Sequence, residues 1–143
     1  MTELKEGDSA PPFPELSANK GVTCVVYFYP KDFTPGCTTE ACEFRDLYDR
    51  IQENEAIVIG ISPDSPESHE KFIAKHGLPY TLVADVAHEI STAYGVWTEK
   101  SMYGRKFMGI ERSTFVIGPD GAIKKIFRRV KAPGHAAEVL ESI

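Results

Sequence analysis

The stretch Tyr27-Phe-Tyr-Pro-Lys-Asp-Phe-Thr-Pro-Gly-Cys-Thr-Thr-Glu-Ala-Cys42 decides how the rest of the chain is read. An apolar strand runs into a tight turn, a helix opens, and a cysteine falls in its first turn with a second cysteine five positions on. Thr34 is of a type favoured at a helix N-cap. Pro35 suits the first helical position, where its fixed φ fits and its missing N–H costs nothing. On that count Cys37 lies among unpaired backbone N–H groups at the positive end of the helix dipole, which favour a thiolate. The thiolate is the nucleophilic form of cysteine, so the local sequence builds a reactive sulfur.

Working outward, Cys24 to Tyr29 is a continuous apolar run that reads as a buried strand. From Thr34 to about Glu53, Ala41, Phe44, Leu47, Tyr48 and Ile51 fall on one helical stripe. Ala56 to Ile61 reads as a second buried strand, followed by a helix carrying Phe72 and Ile73 that Gly77 stops. Thr81 to Ala84 is a short strand and Ala87 to Tyr94 a short helix. Ser113–Ile117 and Ala122–Phe127 flank Gly118-Pro-Asp-Gly121, which predicts a hairpin, and a last helix covers 136–143. Ala10-Pro-Pro-Phe-Pro14 reads as extended, because a residue before proline avoids helix.

Early βαβ units imply parallel strands with right-handed crossovers, and the late hairpin adds antiparallel ones. The expected fold class is therefore α/β, of thioredoxin-like type, with a mixed central β-sheet flanked by helices. The strand order does not follow from the pattern.

A chain of 143 residues suits a single domain spanning 1–143. A net charge of −5 gives no nucleic-acid footprint, so no nucleic-acid partner is expected. The start Met1-Thr-Glu-Leu-Lys-Glu is polar, which predicts no signal peptide, and no apolar run is long enough to suggest a membrane span. Three cysteines is an odd number, which argues against a secreted disulfide framework and for chemistry in a reducing compartment; a cytoplasmic location is expected.

Cys37 and Cys42 in one intact helix have Cα atoms roughly 8–9 Å apart, whereas a disulfide needs less than about 7 Å. They bond only if the first helical turns unwind, at a terminus where opening costs little. Two inert structural thiols are the competing reading. A metal site is disfavoured, because there is no Cys-x-x-Cys and His69, His76, His88 and His135 are scattered. Cys24 reads as a small core residue. Arg112, taken alone, reads as a solvated charge at a strand end, and Arg45 and Asp46 as a solvated pair. Trp97, Phe107 and Met108 read as packing residues in preference to a border of a substrate entrance, and no long exposed apolar stripe is expected.

The segment Pro30-Lys-Asp-Phe-Thr34-Pro-Gly-Cys37 resembles the Pro-x-x-x-Thr-x-x-Cys signature of peroxiredoxins. Its continuation Thr38-Thr-Glu-Ala-Cys42-Glu-Phe-Arg-Asp46 is similar to the peroxiredoxin Q, or bacterioferritin comigratory, subgroup. Gly60-Ile-Ser-Pro-Asp64, Tyr94-Gly-Val-Trp97, Gly109-Ile-Glu-Arg112-Ser-Thr-Phe115 and Gly134-His-Ala136 extend the likeness along the chain.

The resemblance implies a thiol peroxidase acting on hydrogen peroxide and organic hydroperoxides. Cys37 matches the peroxidatic cysteine and Cys42 the resolving one. Thr34, Arg112 and Pro30 match the residues that bind the peroxide and shape its pocket. The resemblance also implies a thioredoxin or similar thiol reductant as partner, no cofactor and no metal, and a monomer. A thiol–disulfide oxidoreductase and a redox-regulated interaction protein stay open as rival readings; the first is disfavoured by the missing Cys-x-x-Cys.

Overall fold

The computed structural model describes residues 3–143. The elements in chain order are α1 (Pro14–Ser17), β1 (Thr23–Phe28), α2 (Pro35–Glu53), β2 (Ala56–Ser62), α3 (Pro66–His76), β3 (Thr81–Ala84), α4 (Glu89–Ala93), β4 (Trp97–Met102), β5 (Arg105–Ile110), β6 (Ser113–Ile117), β7 (Ile123–Phe127) and α5 (His135–Ser142). Five strands form one sheet in the order β3-β2-β1-β6-β7. β1 pairs parallel with β2, and β2 with β3; β6 runs antiparallel to both β1 and β7. The mixed α/β sheet expected from the pattern is the one found.

β1 is the central strand, and all six of its residues are buried. Its side chains alternate between two cores, as strand geometry requires. Val25, Tyr27 and Tyr29 face one core with Cys37, Ala41 and Phe44 of α2, Phe72 of α3 and Ala136 and Val139 of α5. Cys24, Val26 and Phe28 face the other, with Phe13, Tyr94, Phe115 and, at its margin, Leu16 and Ile90. The two cysteines Cys24 and Cys37 thus lie on opposite sides of the sheet.

The α2 stripe folds as its spacing requires, with Ala41, Phe44, Tyr48 and Ile51 buried. Ser65 caps α3, its hydroxyl accepting from the Ser68 N–H at 3.2 Å, and Gly77 ends that helix in the left-handed region at φ 59°. Pro14 departs from the expected extended segment: it occupies the first position of the short α1, where its φ suits a helical turn.

The pattern also missed the β4–β5 hairpin, which forms a separate two-stranded sheet. Met102 pairs with Arg105, so Tyr103 and Gly104 alone make the loop, at φ 53° and 77°. Two consecutive positive φ values match a tight hairpin turn that follows strand twist. The hairpin leaves Met102, Tyr103, Phe107 and Met108 exposed. That corrects the packing role expected of Phe107 and Met108. Trp97 is half-buried and stacks on His88 with ring centroids 3.7 Å apart.

Candidate active site

Cys37 sits in the first turn of α2, and its side chain is buried against the sheet. The pairing Phe28↔Ser113 between β1 and β6 brings Arg112, the residue before β6, beside the turn that follows β1. From there the Arg112 Nη2 donates to Cys37 Sγ at 3.3 Å, and Nη1 donates to Glu40 Oε1 at 2.5 Å. Gly36 permits this approach: a Cβ there would meet Arg112 Nη2 at 3.3 Å. Arg112 is therefore not the solvated charge that its sequence surroundings suggest; its side chain is 16% exposed.

Glu40 is the functional candidate the sequence reading missed. It lies one helical turn beyond Cys37, fully buried, and its Oε2 has no hydrogen-bond partner among the described residues. Burial pushes its carboxyl up to about 7, although the Arg112 charge pulls the other way. The signal available in sequence was its place three residues after Cys37, on the side of the helix that packs inward.

Thr34 holds the N-cap position with extended backbone, but its hydroxyl does not cap the helix. Instead Thr34 Oγ1 donates to the Lys31 carbonyl at 2.8 Å. The expected capping role is corrected accordingly: the hydroxyl folds back on the turn, and the N–H groups at the start of α2 are left without a side-chain acceptor. Pro30, half-buried, begins the loop that leads from β1 to Thr34.

Cys42 lies further along the same unbroken helix, half-buried, and both it and Cys37 are free thiols. Between them the Tyr80 hydroxyl donates to the Ala41 carbonyl at 2.9 Å, and the Tyr27 hydroxyl lies 2.9 Å from that of Tyr80. Cys24 is buried at the start of β1 in the opposite core, and burial pushes its thiol up. Arg45 and Asp46 form the expected exposed pair at 2.9 Å, while Arg45 Nη1 also donates to the His76 carbonyl at 2.7 Å. Lys100 on β4 is held below its ordinary value by burial and then by the Arg112 charge.

Asp32, Asp64 and His69 offer ligand atoms within 4.8 Å of one another, a cluster the scattered spacing of histidines did not suggest. Most of its polar atoms already have protein partners. His69 Nδ1 meets Asp32 Oδ2 at 2.7 Å and Nε2 meets the Val83 carbonyl at 3.1 Å. Asp64 Oδ2 accepts from the Asp32 N–H and from Ser62 Oγ. Both ring nitrogens of His69 thus face acceptors, which is the pattern of an imidazolium rather than a metal ligand.

The chain is similar to known proteins in sequence and in fold. The AhpC/TSA family pattern matches residues 6–126. The chain is 50% identical to "Peroxiredoxin Bcp" of Bacillus subtilis (strain 168) over 129 residues, which is 90% of this chain and 82% of that protein. It is 40% identical to "Peroxiredoxin Bcp" of Escherichia coli (strain K12) over 149 residues, covering 98% and 96%. Among solved structures, a cysteine-to-serine variant of Xylella fastidiosa PrxQ superposes with a TM-score of 0.92 at 40% identity, covering 99% of this chain and 96% of that one. A ligand-complex structure of the Xanthomonas campestris bacterioferritin comigratory protein, described for its alkyl peroxide reduction activity, gives a TM-score of 0.85 at 44% identity over 89% and 81%. Sequence, sheet order and these likenesses agree, and the chain belongs to the AhpC/TSA family as a thioredoxin-fold peroxiredoxin of the Bcp, or peroxiredoxin Q, kind.

Proposed function

We propose that this chain reduces hydroperoxides through Cys37, with Cys42 as the resolving thiol and a thioredoxin-like protein as the reductant. The observation that carries the reading is the Arg112 guanidinium, which spans the Cys37 sulfur and the buried Glu40 carboxyl. A fixed cation beside a sulfur at a helix N-terminus favours the thiolate. Its remaining donors suit a peroxide oxygen, because arginine stays charged and presents several N–H groups in a rigid fork.

The Cys37 thiolate attacks the terminal peroxide oxygen. An S–O bond forms, the O–O bond breaks, and the departing alkoxide or hydroxide takes a proton to leave as alcohol or water. Cys37 is then a sulfenic acid. Donors aimed at the departing oxyanion lower the barrier; the free N–H groups at the start of α2 and Arg112 are the groups at hand, and the Thr34 hydroxyl joins them by releasing the Lys31 carbonyl. The Cys42 thiol next displaces hydroxide from the Cys37 sulfur, which leaves as water and gives the disulfide. Two thiols of the reductant restore both cysteines, so the cycle needs no cofactor or metal.

Because α2 is unbroken from Pro35 to Glu53, the second step requires its first turns to unwind. Activity of the Xanthomonas relative toward alkyl peroxides supports organic hydroperoxides beside hydrogen peroxide as substrates. A cytoplasmic monomer is the proposed working form. No helix of the described residues is long and apolar enough to cross a membrane.

The test is to treat the reduced protein with one equivalent of hydrogen peroxide, digest it without reductant and map the thiols by mass spectrometry. The expected product is a Cys37–Cys42 disulfide with Cys24 free. A slow reaction, or a bond that includes Cys24, overturns the assignment and favours a redox-regulated interaction protein.

A further inference from the structure

The loop from Pro30 to Thr34 sets the direction in which α2 starts, and it is held from below by α3. Asp32 is 3% exposed, and its carboxylate has three side-chain partners: Tyr29 Oη at 2.7 Å, Ser68 Oγ at 2.8 Å and His69 Nδ1 at 2.7 Å. Its backbone N–H donates to Asp64 Oδ2 at 2.8 Å. His69 is in turn fixed by the Val83 carbonyl of β3. The next residue, Phe33, has φ 66°, a left-handed conformation that is unfavourable for a bulky side chain. Its ring packs edge-on against Phe72 of α3 with centroids 5.1 Å apart. Such strain persists only where the surroundings over-determine it. Here the over-determining groups are Tyr29 and Asp64 together with Ser68, His69 and Phe72 of α3.

We propose that His69 is a positioning residue that, through Asp32, holds Phe33 in its strained conformation and so keeps Thr34 and the first turn of α2 aligned for attack by Cys37. The proposal rests on the peroxidase reading given above. The same clamp opposes the unwinding that brings Cys37 to Cys42. It therefore acts on the two steps in opposite senses: it speeds oxidation, which needs the ordered turn, and slows disulfide formation, which needs the turn opened. Loosening the clamp also shortens the life of the sulfenic acid, and with it the chance of a second, damaging oxidation.

The experiment compares wild type with His69→Gln and Ser68→Ala, the second variant removing only one hydrogen bond to Asp32. Oxidation is timed by trapping the Cys37 sulfenic acid with dimedone in a Cys42→Ser background. Disulfide formation is timed by quenched-flow mass spectrometry with Cys42 present. His69→Gln is expected to slow oxidation about tenfold or more, the effect of losing one hydrogen bond to a charged group, and to accelerate disulfide formation severalfold. Ser68→Ala is expected to move both rates in the same directions by less. Unchanged rates, or two rates that fall together in step with the melting temperature, overturn the clamp. If His69→Gln does not fold, Ser68→Ala decides alone, and no opposite movement of its two rates overturns the proposal. If wild-type Cys37 itself fails to form a trappable sulfenic acid, the peroxidase reading is what has failed.

Discussion

Replacing Arg112 with methionine separates what the guanidinium does for stability from what it does for chemistry. Glu40 is wholly buried, with one carboxylate oxygen on Arg112 and the other without a partner. A rise from 4.5 to about 7 means that the fold already disfavours the ionised carboxylate by about 3 kcal/mol. In the wild type that penalty stops growing once the pH exceeds about 7, because the carboxylate is then charged in both folded and unfolded states. Without Arg112 the carboxyl rises further and stays protonated, so stability continues to fall by about 1.4 kcal/mol per pH unit. Arg112→Met should therefore cost about 2 kcal/mol more at pH ~8.5 than at pH ~6.5. Adding Glu40→Gln should remove that pH dependence. Neither variant should recover Cys37 oxidation, which is expected to fall about 10²–10³-fold through loss of a donor aimed at developing charge. Urea denaturation at the two pH values, followed by Trp97 fluorescence, gives the first quantity, and sulfenic-acid trapping gives the second. An equal destabilisation at both pH values, or a double variant that regains its oxidation rate, refutes the reasoning.

Three further outcomes are expected. Cys37→Ser abolishes peroxide turnover, whereas Cys42→Ser keeps the first oxidation, stalls recycling by thioredoxin and accumulates sulfinic acid; equal loss of the first step in both, read by mass spectrometry, contradicts the two roles. Gly36→Ala places a methyl 3.3 Å from Arg112 Nη2, so peroxide reduction should slow severalfold while thermal stability holds or rises by up to ~1 kcal/mol from the better helix former; paired melting and rate measurements that fall together count against this. The Asp32–His69 pair predicts a stability window. Burial alone raises the Asp32 carboxyl, but bonds from His69, Tyr29 and Ser68 outweigh it and hold the carboxyl below its usual range; burial lowers His69, but the Asp32 bond and charge hold it above. The Asp32 contribution is thus lost as pH falls through its lowered value, and the His69 contribution as pH rises through its raised one. The stability gap between wild type and His69→Gln should be widest between about pH 4 and 6.5 and narrow on either side; a gap constant from acid to alkali argues against a charged pair.

Local signals made α2 legible. Thr34-Pro35 marks its start, and the Ala41–Phe44–Tyr48–Ile51 stripe marks its buried face. Arg112 could be placed only through the motif, because its partnership with Cys37 is created by the β1–β6 pairing, a long-range register that periodicity does not contain. Glu40 was harder still. A glutamate in the first turns of a helix reads as a solvated, dipole-matched charge, and its burial makes sense only once Arg112 is beside it. Asp32 and His69 are likewise ordinary polar residues until β2 and α3 bring them together. The β4–β5 hairpin was missed because its strands are charged and half-exposed, although Tyr103-Gly104 is a turn signal of the X-Gly kind.

The position of Cys24 across the sheet gives this chain an internal clock. Its thiol is buried in the core opposite Cys37 and faces the loop between α1 and β1, so an alkylating reagent reaches it only when that side of the sheet opens. Cys42, half-buried on α2, becomes available when the helix start alone comes apart. Alkylation of Cys24 and Cys42, followed in one sample, therefore times opening of the core across the sheet against the local opening of α2 that the proposed disulfide requires. The thiol outside the proposed cycle is the reference against which that cycle's motion is measured, with no label added to the protein.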